Sequence, residues 1–374
     1  MKRVHYIFFA FLVLISCEKS ISDFQSKNFI KIFGSGYESK GNDVIELTGG
    51  GYLITGSDLY NDVDYQIYAA KVDEYGNLIW NKTYGDDGYK EEGNVVKEVS
   101  DGFIIAGTSI VESTGLIQSY LMKINSKGVE KWRKKIGKTY FDITIKDVVV
   151  EGNSIYVAGY SDTTSSNSTD YFISKIDTAG NKVWDKYYSI GNNSAFYKIF
   201  VKDNDLLAVG NDGTVNKVVV NTIPKSNFSL VDPRVTNTSG MVDATYSNGC
   251  LYLLSNNGTS GTSLTKFNSS IGEDWHTVEI SSVIGKSVTI NSDGSLMICG
   301  ETTVEGNQVT NFIKVDKDGN ALYGNSVYKT FQGSVGKVVS TRDNGLIIIG
   351  STNSTYGANI QLIKTDKDYF MLKN

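Results

Sequence analysis

The chain has 374 residues, 36 Lys+Arg against 41 Asp+Glu, 40% hydrophobic and 21% charged residues. This is an ordered globular composition, which excludes wholesale disorder and leaves room for two domains or one large all-β domain. A net charge of −5 excludes a mainly electrostatic nucleic-acid binder, so no nucleic-acid partner is expected. The 23 Tyr, 16 Phe and 38 Gly favour strands and turns over helices.

Residues 1–16 read as an export signal outside the fold. Lys2 and Arg3 form a positive start, and Tyr6 to Ile15 is an apolar run too short to span a bilayer. The run ends in Leu14-Ile15-Ser16-Cys17, which resembles the lipobox of bacterial lipoproteins. The resemblance implies cleavage before Cys17, a diacylglyceryl group on its sulfur and a palmitate-type acyl group on its amine. It makes the lipid bilayer a partner and places the protein at the bacterial outer membrane. Glu18 does not match the enterobacterial signal for inner-membrane retention; whether the protein faces the cell surface or the periplasm stays open. Residues 17–28 are the anchor and tether, and 29–374 a single domain. Removing Lys2 and Arg3 leaves 34 basic against 41 acidic residues, a net charge of −7.

From residue 29 onward one unit of about 50 residues recurs, and that period governs the fold. Its clearest copies are Gly50-Gly51-Tyr52-Leu53-Ile54-Thr55-Gly56 and Asp101-Gly102-Phe103-Ile104-Ile105-Ala106-Gly107. The copies end at positions 56, 107, 159, 210, 255, 300 and 350, the fifth being degenerate with Ser255 in place of glycine. Each copy reads as four strands. Asn94 to Val99 exemplifies the first and Tyr120 to Asn125 the third; Leu78 to Gly85 is a fourth strand carrying Trp80. Strands three and four are joined by Asp73-Glu74-Tyr75-Gly76-Asn77 and its repeats, where Asp bonds the backbone two residues on and Gly takes the left-handed position. Four strands per unit predicts a seven-bladed β-propeller with four antiparallel strands per blade. The last copy stops after its third strand, Ile360 to Asp366, and Phe29 to Gly34 matches a fourth. The N-terminal strand is therefore expected to complete the last blade.

The pattern Asp73-x-x-Gly76-x-x-x-Trp80-x-x-x-x-Gly85 resembles the tryptophan-docking repeat of quinoprotein-type propellers. The Gly-Gly-Tyr-Leu-Ile-x-Gly strand is similar to propeller repeats of secreted and lipid-anchored proteins of Bacteroidetes-type bacteria. Quinone-dependent enzymes of that architecture carry eight blades and a vicinal cysteine pair; seven copies and no adjacent cysteines leave the resemblance architectural. Trp80, Trp132 and Trp184 are expected to pack against neighbouring blades. Cys250 and Cys299 lie four positions apart on adjacent blades, roughly 13 Å at a strand's rise, and are expected to be buried free thiols.

No nucleophile elbow or zinc-protease helix is present. His276 is the one histidine after the signal, which excludes a multi-histidine metal site. Asp316-Lys317-Asp318-Gly319 reads as a hairpin turn and not a calcium loop. No catalytic residue, metal or cofactor is assigned. The candidate binding residues lie in the inter-blade loops around one mouth of the channel: Tyr37, Tyr89, Tyr140, Phe331, Asp86, Asp87, Asn192 and Asn193. Aromatic faces beside amides and carboxylates suit a glycan or a peptide.

The reading that follows is a non-enzymatic binding lipoprotein with a glycan or outer-membrane protein partner. One alternative is a periplasmic assembly factor of the barrel-assembly type. A second is a propeller glycosidase or lyase using paired carboxylates among Asp86, Asp87, Glu91 and Glu92. Their clustering in one loop reads instead as a solvated acidic face.

Overall fold

The computed structural model describes residues 27–368 apart from 61–63, 138–140, 163–167, 190–192, 257, 259–260, 277–279, 282, 305–306, 323–326 and 355–356. Residues 1–16, expected to be an export signal, and Cys17 lie outside the described residues. The described residues form a seven-bladed β-propeller without helices. Blade one is typical: Ser39–Glu46, Tyr52–Tyr60, Asp64–Val72 and Leu78–Tyr84 pair antiparallel in chain order. Blade two repeats this with Tyr89–Val99, Gly102–Val111, Ile117–Ile124 and Glu130–Ile136.

The expected closure is present. Phe29–Phe33 pairs antiparallel with Gly357–Lys364, so the first strand in sequence is the outer strand of blade seven. Blades six and seven share a strand, which the repeat did not foretell. Val327–Ser340 pairs with blade six near Val327 and Gln332, then with Leu346–Ser354 of blade seven from Gly333 onward. Phe331, expected in a loop, thus has its backbone in a strand.

Seven apolar clusters fill the seven seams between blades. At the seam between blades seven and one, Phe29, Ile347, Ile349, Ile360 and Leu362 meet Val44, Tyr52, Ile54 and Tyr68. Each blade is buried on both faces, which is why its second strand is a continuous apolar run rather than an alternating one.

The outer strands follow the expected docking. A Cβ on Gly128 of blade two would lie 3.0 Å from the Trp80 ring of blade one, and Trp80 Nε1 donates to the Ser126 carbonyl at 3.0 Å. Trp132 covers Gly180 of blade three in the same way, and Trp184 lies 4.0 Å, centroid to centroid, from Phe228 of blade four. Asp73 Oδ1 accepts the amides of Tyr75 and Asn77, and Asp316 Oδ1 those of Asp318 and Asn320, so both carboxylates serve their turns. Both cysteines are free; Cys299 is buried as expected, whereas Cys250 is half-buried.

A β-bulge in the first strand of all seven blades shapes the channel. Asn42 is the extra residue in blade one, between Gly41 and Asp43, and Gly336 is its counterpart in blade seven. The bulge accounts for the glycine that ends six of the seven repeats; in blade five Ser255 takes that place opposite Met241. A Cβ on Gly56 would come 1.8 Å from the Lys40 carbonyl, and one on Gly159 1.9 Å from that of Thr144. At these positions glycine lets the two strands approach this closely.

Candidate functional site

The bulges turn polar residues toward the channel and toward the adjoining blade. At one mouth lies a cleft of about 470 Å³ between blades one, two and seven. Ser39, Ser57, Thr108, Ser334 and Ser351 give it hydroxyls, Tyr65 an aromatic face, and Lys90 a cation. Beside it a cavity of about 390 Å³ shares Lys40, Glu92 and Thr108 with the cleft and adds Asn42, Asn94 and Lys146. Lys40 Nζ lies 2.6 Å from Glu92 Oε1, which also accepts Asn42 Nδ2 at 2.7 Å. This bridge joins blades one and two across the mouth.

Glu91 stands in the wall of the cleft and is only 2% exposed. Its Oε2 accepts the Asp86 amide at 2.9 Å and its Oε1 the Tyr120 hydroxyl at 3.1 Å. Arg133 Nη1 lies 3.6 Å from that Oε1 and 3.7 Å from Asp86. Burial pushes Glu91 up to about 7 against the opposing pull of Arg133 and the two hydrogen bonds. The acidic loop is therefore not uniformly solvated: Asp86 and Asp87 are exposed, Glu92 is ion-paired and Glu91 is buried.

Deeper in, a waist cavity of about 300 Å³ has five lysines and three aspartates in its wall. The aspartates follow the bulges of blades one, three and five, and each accepts a backbone amide from the next blade. Asp43 takes Val96, Asp147 takes Ile199 and Asp243 takes Val288, at 2.9, 3.1 and 3.0 Å. Asp243 also binds Lys198 at 2.7 Å and Lys337 at 2.9 Å. Past the waist the channel widens again into a cavity of about 370 Å³, which shares Lys97, Asp147 and Phe200 with it.

Among the described residues, the expected binding residues Tyr37, Tyr89, Asp86, Asp87 and Asn193 do not line these cavities, whereas Glu91 and Glu92 of the acidic loop do. Tyr37 is 56% exposed, and its neighbour Glu38 lines the cleft and bridges to Ala358. Tyr89 is half-buried beside the lining Lys90. Asn193 is exposed in the left-handed region at φ 56°, its amide donating to Ser168 Oγ. Tyr140 and Asn192 lie outside the described residues, as does the side chain of Phe331. Beside Tyr37 and Tyr89 it is the next residue along the chain, Glu38 and Lys90, that reaches the cleft. The sequence signal for the waist is a charge directly after five of the seven bulges, Asp43, Asp147, Lys198, Asp243 and Lys337, which stands out in otherwise apolar strands.

No protein-family model matches the chain, and no curated protein matches it. Among solved structures it is similar to the Pan2 WD40 domain of Neurospora crassa, at 11% identity and a TM-score of 0.57, covering 90% of this chain and 96% of that one. A puromycin hydrolase is similar at 10% identity and a TM-score of 0.53, over 86% of this chain and 51% of that one. BamB from Moraxella catarrhalis has 14% identity and a TM-score of 0.47, over 92% of this chain and 99% of that one. These likenesses concern the β-propeller fold alone.

Proposed function

We propose that this chain is a lipid-anchored β-propeller of the bacterial outer membrane that binds a ligand or protein partner at its channel mouth and catalyses no reaction. The observation that carries the reading is the cleft of about 470 Å³ between blades one, two and seven, which is of ligand size. Its clustered hydroxyls and single aromatic face favour a polyhydroxylated ligand, a glycan, over an apolar one. The signal ending in Leu14-Ile15-Ser16-Cys17 supports the anchor.

A glycan array probed with residues 20–374, together with Tyr65→Ala and Lys90→Gln variants, tests the binding. The expected result is a defined glycan bound by the parent and lost in both variants. Hydrolysis of a polysaccharide panel, with no ligand or partner bound, overturns the reading. For the anchor, Cys17→Ser should release the protein from the membrane fraction; retention of that variant overturns this part alone.

A further inference from the structure

The waist cavity holds more positive charge than its own carboxylates cancel. Lys286 is answered by Glu301 at 3.1 Å. Asp243 answers Lys198 and Lys337 together, and Lys97 reaches Asp147 at 3.8 Å. That leaves Lys146. Its ammonium sits 5.6 Å from the centroid of the Tyr160 ring and 6.0 Å from that of Tyr197, with no carboxylate within ion-pair distance among the described residues. Ring faces hold a cation without neutralising it.

With the Lys286–Glu301 pair set aside, the four remaining lysines outnumber the three aspartates of the wall. Burial pushes Asp43 up and Lys337 down, so these two shifts oppose each other and the excess rests on the count of groups and on Lys146. Uncancelled charge is costly in a low-dielectric cavity, and a counter-ion removes the cost. The three carboxylates are tied by backbone amides to the adjoining blades, so they do not claim the cavity's centre. An ammonium has three donors, and Lys198 spends one on Asp243, leaving donors for a ligand. Lys146 also lines the mouth cavity, so the excess charge is reachable from outside.

We infer that the waist is a binding site for one small oxyanion, phosphate or sulfate in type, entered from the mouth and held by Lys146 together with Lys198 and Lys337. The inference stands whether or not the mouth cleft binds a glycan.

Sodium phosphate and sodium sulfate, titrated into the full chain with ionic strength fixed by sodium chloride, test it. Calorimetry should show one site per chain, and saturating phosphate should raise Tm by about 3 °C or more. Lys146→Gln should weaken binding on the order of tenfold, the size of one lost charge-assisted hydrogen bond. Lys146→Arg, which keeps the charge, should retain binding, as should Lys82→Gln on the outer strand of blade one. Lys146→Gln melting like the parent without phosphate would show that its fold is intact. A response to phosphate no larger than that to chloride overturns the inference, and so does undiminished affinity in Lys146→Gln.

Discussion

Asp243 of blade five and Lys337 of blade seven, 94 residues apart in sequence, meet across blade six with Nζ 2.9 Å from Oδ2. The same carboxylate takes Lys198 from blade four, and from blade six the Ser287 hydroxyl at 2.7 Å and the Val288 amide. One buried side chain thus ties four consecutive blades. Burial by itself would raise Asp243, but Lys198 and Lys337 overcome it and hold the carboxyl well below the usual carboxylate range. Lys337 is lowered by its own burial, which Asp243 only partly offsets.

Asp243→Ala should therefore cost about 3 kcal/mol in urea denaturation, because it removes a buried carboxylate and leaves two half-buried ammonium groups without it. Replacing all three charges, as Asp243→Leu with Lys198→Met and Lys337→Met, should recover most of that loss. If Asp243→Ala unfolds within about 1 kcal/mol of the parent, these ties are incidental.

Gly159→Ala probes the bulge. Its Cβ would press to 1.9 Å from the Thr144 carbonyl, and backbone on a paired strand cannot step aside. The expected loss is about 1–3 kcal/mol, the usual range for overpacking. Gly49→Ala, with open space around its Cβ, should be close to neutral. Equal effects at the two positions would count against the close approach as the reason for the repeated glycine.

The blades were legible because their signal is local and repeated. A terminal glycine opposite a bulge, an Asp-initiated turn and an outer-strand Trp recur wherever the same contact recurs. Phe29 was legible for the same reason, as the missing fourth strand of the last copy. Glu91 was not. Its neighbours Asp86, Asp87 and Glu92 made the loop look solvated, whereas its burial depends on Tyr120, 29 residues on, and on Arg133. The waist stayed hidden for a related reason: Asp243 and Lys337 acquire meaning only when the ring closes, and nothing in the spacing of one blade reveals a partner two blades away.

Glu91 should make stability depend on pH in a defined direction. Its folded value is raised from 4.5 to about 7, so between these the folded protein keeps a proton the unfolded chain has released. Its stabilising contribution is full below the lower value and is lost as pH rises through the upper one. Glu91→Gln removes the titration, so its Tm relative to the parent should be higher near pH 8 than near pH 5. Parallel melting curves for variant and parent across that window would mean that Glu91 titrates normally.

The closing strand carries the last expectation. Phe29 is 7% exposed. It meets Tyr52 edge-on at 6.1 Å between centroids. A Cβ on Gly76 would lie 2.7 Å from its ring. Phe29 thus does at the seam between blades seven and one what Trp80 does between one and two. Phe29→Ala should cost about 3–5 kcal/mol, as truncation of a large buried aromatic does. Deleting residues 27–34 should cost more, since it also exposes the edge of Gly357–Lys364 and strips five paired positions from it. Deleting 19–26 should change the melting temperature little, because a polar tether of that kind buries nothing. Thermal melts of the three variants decide the matter. If the 27–34 deletion melts with the parent, the ring is not held shut by this strand; if the 19–26 deletion melts as low as the 27–34 one, the tether itself packs on the propeller.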